Sequence, residues 1–259
     1  MTRLCLFLRS LLFTLIMVAA TLIWAPICVL CAPLPFLARY HVTGIWNRFV
    51  LGAARLVCGI RYQIKGYESL PDAPVILLSK HQSAWETIAF FFIMPRPVVY
   101  VFKKELLYIP FFGWGLGLLR MIPINRSKGR DAFAHVVRHG KQRLASGKWI
   151  VMFPEGTRSP VGKQGKYKSG GTRLAIETNT AVVPIAVNSG ECWPKGSFIK
   201  KPGLITVSIG KPLAPQGLNA ADLMQQVENW IESEMRVISS PGIYSNDLDS
   251  LEAASPDTA

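Results

Sequence analysis

The stretch Val75-Ile-Leu-Leu-Ser79-Lys80-His81-Gln-Ser-Ala-Trp85-Glu86-Thr87 decides how this chain folds. Its apolar run shows no alternation, the mark of a strand buried on both faces. Lys80 and His81 stand at the strand's exit, and the apolar residues from Ala84 to Ile93 then follow helical spacing. A buried strand handing over to a helix through a short turn is the repeating unit of an α/β domain. The same alternation continues outward. Strands are expected at Arg61–Lys65, Val75–Ser79, Val98–Phe102, Met121–Ile124, Trp149–Phe153, Val182–Val187 and Leu204–Ile209. Helices are expected near Ala84–Ile93, Arg130–Ala145, Gly171–Thr178 and Ala220–Ile238. The expectation is therefore an α/β domain over residues 61–240, a mixed sheet of about seven strands flanked by helices. On the last helix Leu223, Val227, Trp230, Ile231 and Met235 should share the buried face, with Asn219 as cap. After Pro241 the chain turns polar and acidic, and 241–259 reads as a mobile tail.

Upstream of the domain the chain is greasy. Residues 10–38 carry no charge and follow Arg3 and Arg9. About 20 apolar residues cross a bilayer core as a helix, so residues 1–60 read as a membrane-anchoring hydrophobic and amphipathic helical segment. Pro26 should bend the first helix, and Pro33 and Pro35 should end it. A secretory signal fits the charged start but not the length of the run or the basic residues after it. Arg39, Arg48, Arg55, Arg61 and Lys65 outnumber the basic residues before the run, which puts the main domain on the cytoplasmic side. The stretch 41–60 mixes apolar residues with Arg48 and Arg55. It suits a helix lying in the membrane interface and suits equally a helix packed on the domain.

Composition sharpens this reading. Half of the 259 residues are apolar, 17% are charged, and the formal net charge is +13. That excludes disorder, collagen and coiled coils. A chain both apolar and basic points to an anionic partner met at an apolar surface. Membrane phospholipid answers both demands, and nucleic acid only one. Residues 1–67 carry a net +7, residues 80–173 a net +13, and residues 174–259 a net −5. Any anion site is expected in the middle segment. Cys5, Cys28, Cys31, Cys58 and Cys192 show no zinc or disulfide pattern and read as reduced.

Four constellations can carry chemistry. In the first, Glu86 follows His81 by five residues at a helix start. A carboxylate brought back to the imidazole would make His81 a general base; a histidine merely capping the strand fits the local sequence as well. The second, Met121-Ile-Pro-Ile-Asn125-Arg126-Ser-Lys128-Gly-Arg130, sets three cations beyond a strand. They suit a phosphate grip or a solvated loop. In the third, Trp149-Ile-Val-Met-Phe153-Pro-Glu155-Gly156-Thr157-Arg158-Ser159, a strand breaks at Pro154 and presents Glu155 and Arg158 at its exit. Arginine suits bidentate contact with phosphate. The fourth, Ala181-Val-Val-Pro184-Ile-Ala-Val187, is a buried strand with a proline, which alone means an irregular or edge strand.

Taken together and in this order, the four resemble the ordered blocks of the glycerolipid acyltransferases, in particular the 1-acylglycerol-3-phosphate (lysophosphatidate) acyltransferases, over residues 60–215. Phe153–Ser159 matches the family's third block without change, and Glu86 stands where the family usually has Asp. The resemblance implies direct acyl transfer from a thioester of coenzyme A or acyl carrier protein to the 2-hydroxyl of lysophosphatidate, giving phosphatidate for phospholipid synthesis. It implies His81 as base, oriented by Glu86, with Arg126 and Arg158 on the phosphate and Lys103 or Lys104 as further candidates. Glu155, Gly156 and Thr157 would border the substrate pocket, and backbone amides near His81 would steady the oxyanion. No acyl-enzyme, cofactor or metal is implied, and the setting would be the cytoplasmic face of a bacterial inner membrane. Acylation of glycerol-3-phosphate or a lyso-aminolipid, and a silent anionic-lipid-binding module, are the alternative functions.

Other patterns have weaker readings. Asp131, His135 and His139 share a helical face, without the glutamate that a metalloprotease motif needs. Gly162-Lys-Gln-Gly165-Lys-Tyr-Lys168 reads as a mobile basic loop. Phe111-Phe-Gly113-Trp114-Gly-Leu-Gly117 suits an acyl-chain groove or ordinary core packing equally.

Overall fold

A computed structural model describes residues 2–125 and 129–244. The chain runs α1 (Arg3–Leu30), α2 (Phe36–Ala53), a π-helical turn (Ala54–Cys58), β1 (Ile60–Lys65), β2 (Ile76–Ser79), α3 (Trp85–Ile93) and β3 (Val98–Lys103). It continues through α4 (Phe112–Leu118), β4 (Ile122–Ile124), α5 (Gly129–Ala145), β5 (Trp149–Met152), α6 (Gly170–Thr178), β6 (Val182–Val187), β7 (Gly203–Ile209) and α7 (Ala220–Ile238). The strands form one seven-stranded sheet in the order β1-β7-β6-β2-β5-β3-β4. All neighbours are parallel except β6 and β7, so β7 and β1 run against the other five. β2 and β6 are buried along their whole length, which is why both are apolar without alternation. β1 stands at an edge and turns Arg61, Tyr62, Gln63 and Lys65 to solvent.

The proline in β6 does not make it an edge strand. β6 lies between β7 and β2. Its antiparallel ladder with β7 begins at Ile185↔Ile209, and the next cross-link toward the start of the strand is Val182 with Leu213. Pro184 falls in the gap between them, where its carbonyl accepts from Gly210 and no amide donor is needed.

α7 buries Leu223, Val227, Ile231 and Met235, and Asn219 Oδ1 accepts from the amides of Ala221 and Asp222. Trp230 is only partly buried, whereas Glu232, one residue past Ile231, is buried at 5% exposure. α1 continues through Pro26 to Leu30, and Pro33 and Pro35 lie in the turn that follows. Its 28 residues, about 42 Å long, are apolar enough to cross a membrane.

α1 and α2 form an antiparallel hairpin, tied by the Trp24 indole donating to Val42 O at 2.8 Å. The first half of α1 is docked on the domain. Phe13 is fully buried edge-on to Trp193, Ser10 Oγ accepts from the Lys200 amide, and Arg9 Nε donates to Val57 O. The far half exposes Leu15, Val18, Leu22, Ile23 and Leu30. α2 is packed on the domain along one side and exposes apolar residues on the other. Tyr40 OH donates to Phe91 O and accepts from the Val98 amide, while Leu37, Ile45 and Phe49 face outward. The segment 108–114 extends the apolar surface, with Tyr108, Ile109, Phe111, Phe112 and Trp114 exposed rather than packed in the core.

Candidate active site

The four constellations converge because of the topology. β6, β2, β5, β3 and β4 are adjacent and run the same way, so their carboxyl ends lie along one sheet edge. His81 follows β2, Phe153–Ser159 follows β5, Lys103 ends β3, Asn125 follows β4 and Ser189 follows β6. Crevices outside such strand ends are where open α/β sheets bind ligands.

His81 Nδ1 lies 2.9 Å from Glu86 Oε1. Glu86 is in the first turn of α3 and folds back to accept the amides of Gln82 and Ser83, both at 2.8 Å, on the same oxygen. Ser83 Oγ in turn accepts from the Trp85 amide. Ser83-Ala-Trp-Glu86 is therefore a variant capping box, a local signal that sequence reading had available and did not use. It also explains how the longer glutamate reaches the imidazole: its extra methylene returns the carboxylate to the turn. The other oxygen, Oε2, accepts from Ser189 Oγ at 2.6 Å. Glu86 is wholly buried, and four donors hold its carboxylate. The His81 ring stacks on Phe153 with centroids 3.8 Å apart, and its side chain keeps 14% exposure.

A second carboxylate holds the turn from below. Glu155 Oε1 accepts the His81 amide at 3.2 Å, and its Oε2 pairs with Lys80 Nζ at 3.3 Å. Lys80, fully buried, also binds Glu232 Oε1 at 2.8 Å and the Lys163 carbonyl at 3.3 Å. Tyr167 OH donates to Glu232 at 2.7 Å. Burial, then the neighbouring Glu232 charge, holds the Tyr167 hydroxyl well above its ordinary range, so it stays a donor. Sequence reading missed Lys80, Tyr167, Ser189 and Glu232 as parts of this assembly. Tyr244 OH further accepts from Gln82 at 3.3 Å, which brings the end of the described chain against the same turn.

These contacts bear on two expectations. Glu155 was expected to shape the substrate pocket; its carboxylate is buried at 6% exposure and committed to His81 and Lys80. Backbone amides near the His81 turn were expected to serve as oxyanion donors, without being identified; those of His81, Gln82 and Ser83 are taken by the two carboxylates.

Of the other third-block residues, Gly156 turns with φ +71, Thr157 is exposed and Arg158 is half-buried. Lys195 Nζ donates to Thr157 Oγ1 and to the Arg158 carbonyl, and Ser159 donates its amide and hydroxyl to the His81 carbonyl. Lys103 is exposed and pairs with Glu105 at 3.7 Å, and Lys104 is exposed beside it. Arg126 lies outside the described residues.

The stretch 162–168 is anchored, not a mobile loop. The Lys163 carbonyl holds Lys80, Gln164 binds Glu228, the Tyr167 hydroxyl binds Glu232 and the Lys168 amide binds the Pro154 carbonyl. Gly165 is needed there, because a Cβ would run into the Glu155 carboxylate. His135 and His139 stack loosely on α5, with centroids 4.2 Å apart. Among the described residues no group of three or more His, Cys, Asp or Glu is placed to hold a metal ion.

A buried-carboxylate histidine at this edge of a mixed α/β sheet is an arrangement suited to removing a proton from a hydroxyl. In comparison with known proteins, residues 61–188 match the acyltransferase family model, and the chain belongs to that family. It is 44% identical to the 1-acyl-sn-glycerol-3-phosphate acyltransferase of Pseudomonas aeruginosa, over 89% of this chain and 91% of that one. The corresponding alpha enzyme of Mus musculus is 27% identical over 77% of this chain and 72% of its own. In fold the chain is similar to the 1-acyl-sn-glycerophosphate (LPA) acyltransferase of Thermotoga maritima, with TM-score 0.74 at 21% identity, covering 89% and 96% of the two chains.

Proposed function

We propose that this protein acylates the 2-hydroxyl of 1-acylglycerol-3-phosphate to give phosphatidate in phospholipid synthesis, at a membrane surface and with an acyl thioester as donor. The observation that carries the reading is the 2.9 Å contact of His81 Nδ1 with a buried carboxylate. On this reading the carboxylate accepts from Nδ1–H, and the lone pair of Nε2 is left to accept a proton. Nε2 takes the hydroxyl proton as the oxygen attacks the thioester carbon. The C–O bond forms, the C–S bond breaks, and the proton passes from His81 to the departing thiolate. Glu86 keeps the ring oriented and steadies the imidazolium. General-base assistance of this kind contributes about 10²–10⁴-fold.

Arg158 and Arg126 are the proposed phosphate ligands, with Lys103 and Lys104 as outer cations. The donor is coenzyme A or acyl carrier protein, and no cofactor or metal takes part. The exposed apolar faces of α1, α2 and the 108–114 segment suit contact with lipid, and the names of the relatives support the acceptor. The proposed location is the cytoplasmic face of a bacterial inner membrane.

The test is acyl transfer by the purified full chain, with lysophosphatidate, glycerol-3-phosphate and lyso-aminolipid as acceptors and both donor types, each acylated product being measured. Lysophosphatidate should be used best, and His81→Ala should abolish the activity. Transfer to none of these acceptors, or wild-type rates from His81→Ala, refutes the proposal.

A further inference from the structure

We infer that Ser189 is a positioning residue for the acyl transfer, acting through Glu86 on His81; the inference rests on the reading of His81 as base. Ser189 is one residue past the segment that the family model matches, at the turn after β6. It is fully buried, and its hydroxyl donates to Glu86 Oε2 at 2.6 Å.

The division of donors on Glu86 gives this contact its weight. The amides of Gln82 and Ser83 and the imidazole all meet Oε1. Three contacts converging on one oxygen hold that atom, but coupled changes in the side-chain torsions, of which the terminal one is broad, can still turn the carboxylate plane about it. Among the described residues, Ser189 is the donor that meets Oε2. It therefore sets the plane, and with it the direction in which the Oε1 lone pair faces Nδ1. A hydroxyl has one proton to give, and here it goes to an ionised acceptor, the stronger class of hydrogen bond.

The frame that holds Ser189 is itself fixed. Its carbonyl accepts from the amides of Cys192 and Trp193. The preceding Asn188 donates to the Ile238 carbonyl and accepts from the Thr206 amide. The following Gly190 packs so close to Gln82 and Val161 that a Cβ would clash with both. β6 and β2 are paired through Ser79↔Ile185, so the two strand ends carry Ser189 and His81 to the same place.

The experiment compares full-length wild type, Ser189→Ala, Ser189→Thr and His81→Ala in detergent. It measures kcat and KM for both substrates and the Nδ1–H proton resonance of His81 in protein labelled with ¹⁵N-histidine. Ser189→Ala should lower kcat about 10- to 100-fold with KM unchanged, the worth of a hydrogen bond to a charged group. It should also move or broaden the His81 resonance, which a merely structural residue leaves in place. Ser189→Thr, which keeps the hydroxyl, should recover most of the loss. Should Ser189→Ala fail to fold, Ser189→Cys, with a weak donor of similar shape, carries the same expectations. Wild-type kcat, or an unmoved resonance, in the variant lacking a good donor overturns the inference. Activity retained in His81→Ala instead overturns the reading of the base, so the two failures are distinguishable.

Discussion

Replacing Glu86 by Gln removes a charge and reverses one hydrogen bond, that with Ser189. The amide oxygen can keep the contacts from Gln82, Ser83 and His81, and the amide nitrogen then faces Ser189. The serine hydroxyl can rotate to accept one of the two amide N–H groups, at the loss of its own donation to Oε2. Alanine is a poorer probe, because it strands two amides, a hydroxyl and an imidazole N–H at about 1–3 kcal/mol each. In the glutamine variant the charge is the largest part of the loss. Unit charges roughly 4 Å apart at an effective dielectric near 20 attract by about 4 kcal/mol. With about half of the imidazolium charge developed in the transition state, about 2 kcal/mol of stabilisation disappears, or about 30-fold in kcat. KM for both substrates should hold, and the thermal melt should stay close to wild type. Glu86→Asp keeps the charge but is shorter by about 1.5 Å, so its rate should fall between wild type and the glutamine variant. The assay is steady-state phosphatidate formation with both substrates varied. A glutamine variant within threefold of wild-type kcat would remove the carboxylate charge from the mechanism.

Three further outcomes are expected. Lys80→Met leaves Glu155 and Glu232 buried without their cation, a loss of about 3–5 kcal/mol. The melting temperature should fall by roughly 10 °C, and an unchanged melt would show that the pair is not structural. Arg158→Ala should raise KM for lysophosphatidate about 10- to 100-fold, the worth of a hydrogen bond to phosphate. It should leave KM for a monoacylglycerol acceptor unaltered, and equal effects on the two acceptors would exclude Arg158 from the phosphate. Burial pushes the Cys192 thiol up to about 11, which leaves about 100-fold less thiolate at neutral pH than an ordinary thiol has. Maleimide should label Cys5 and Cys31 well before Cys192, as read by mass spectrometry, and equal labelling rates in the folded protein would contradict the burial.

The fold was legible where one physical signal dominated. Val182–Val187 is an unbroken apolar run and Ala220–Ile238 has a 3.6-residue stripe with an Asn cap, and both elements begin and end where those signals do. Pro184 left an irregular and an edge strand both open, because a sequence does not show where a neighbouring strand stops; the strand is irregular there and central. The sparing of its missing donor depends on β7 ending at Ile209 and Leu213 rejoining at Val182. The basic stretch 162–168 looked mobile for a similar reason. Its lysines are solvated charge when read alone, and its tethers, to Lys80, Glu228 and Glu232, lie far off in the chain.

The same distinction separates the legible part of the site from the rest. His81 and Glu86 are five residues apart, so a helix start is enough to suggest their meeting. Lys80 is 75 residues from Glu155 and 152 from Glu232, and no periodicity spans such gaps. On α7, Glu232 breaks no pattern, since the stripe through Ile231 and Met235 is complete without it. Yet this distant carboxylate shares Lys80 with Glu155, and Glu155 holds the amide of the residue proposed as base. The β2–α3 turn is thus gripped at three successive amides by two carboxylates: Glu86 inside its own helix, and Glu155 braced through Lys80 by the final helix. Conversion of Glu232 to Gln should therefore loosen His81 without touching it. Disturbance of that grip should appear in kcat ahead of KM, because the turn orients a proton acceptor and the proposed phosphate ligands lie on other strands.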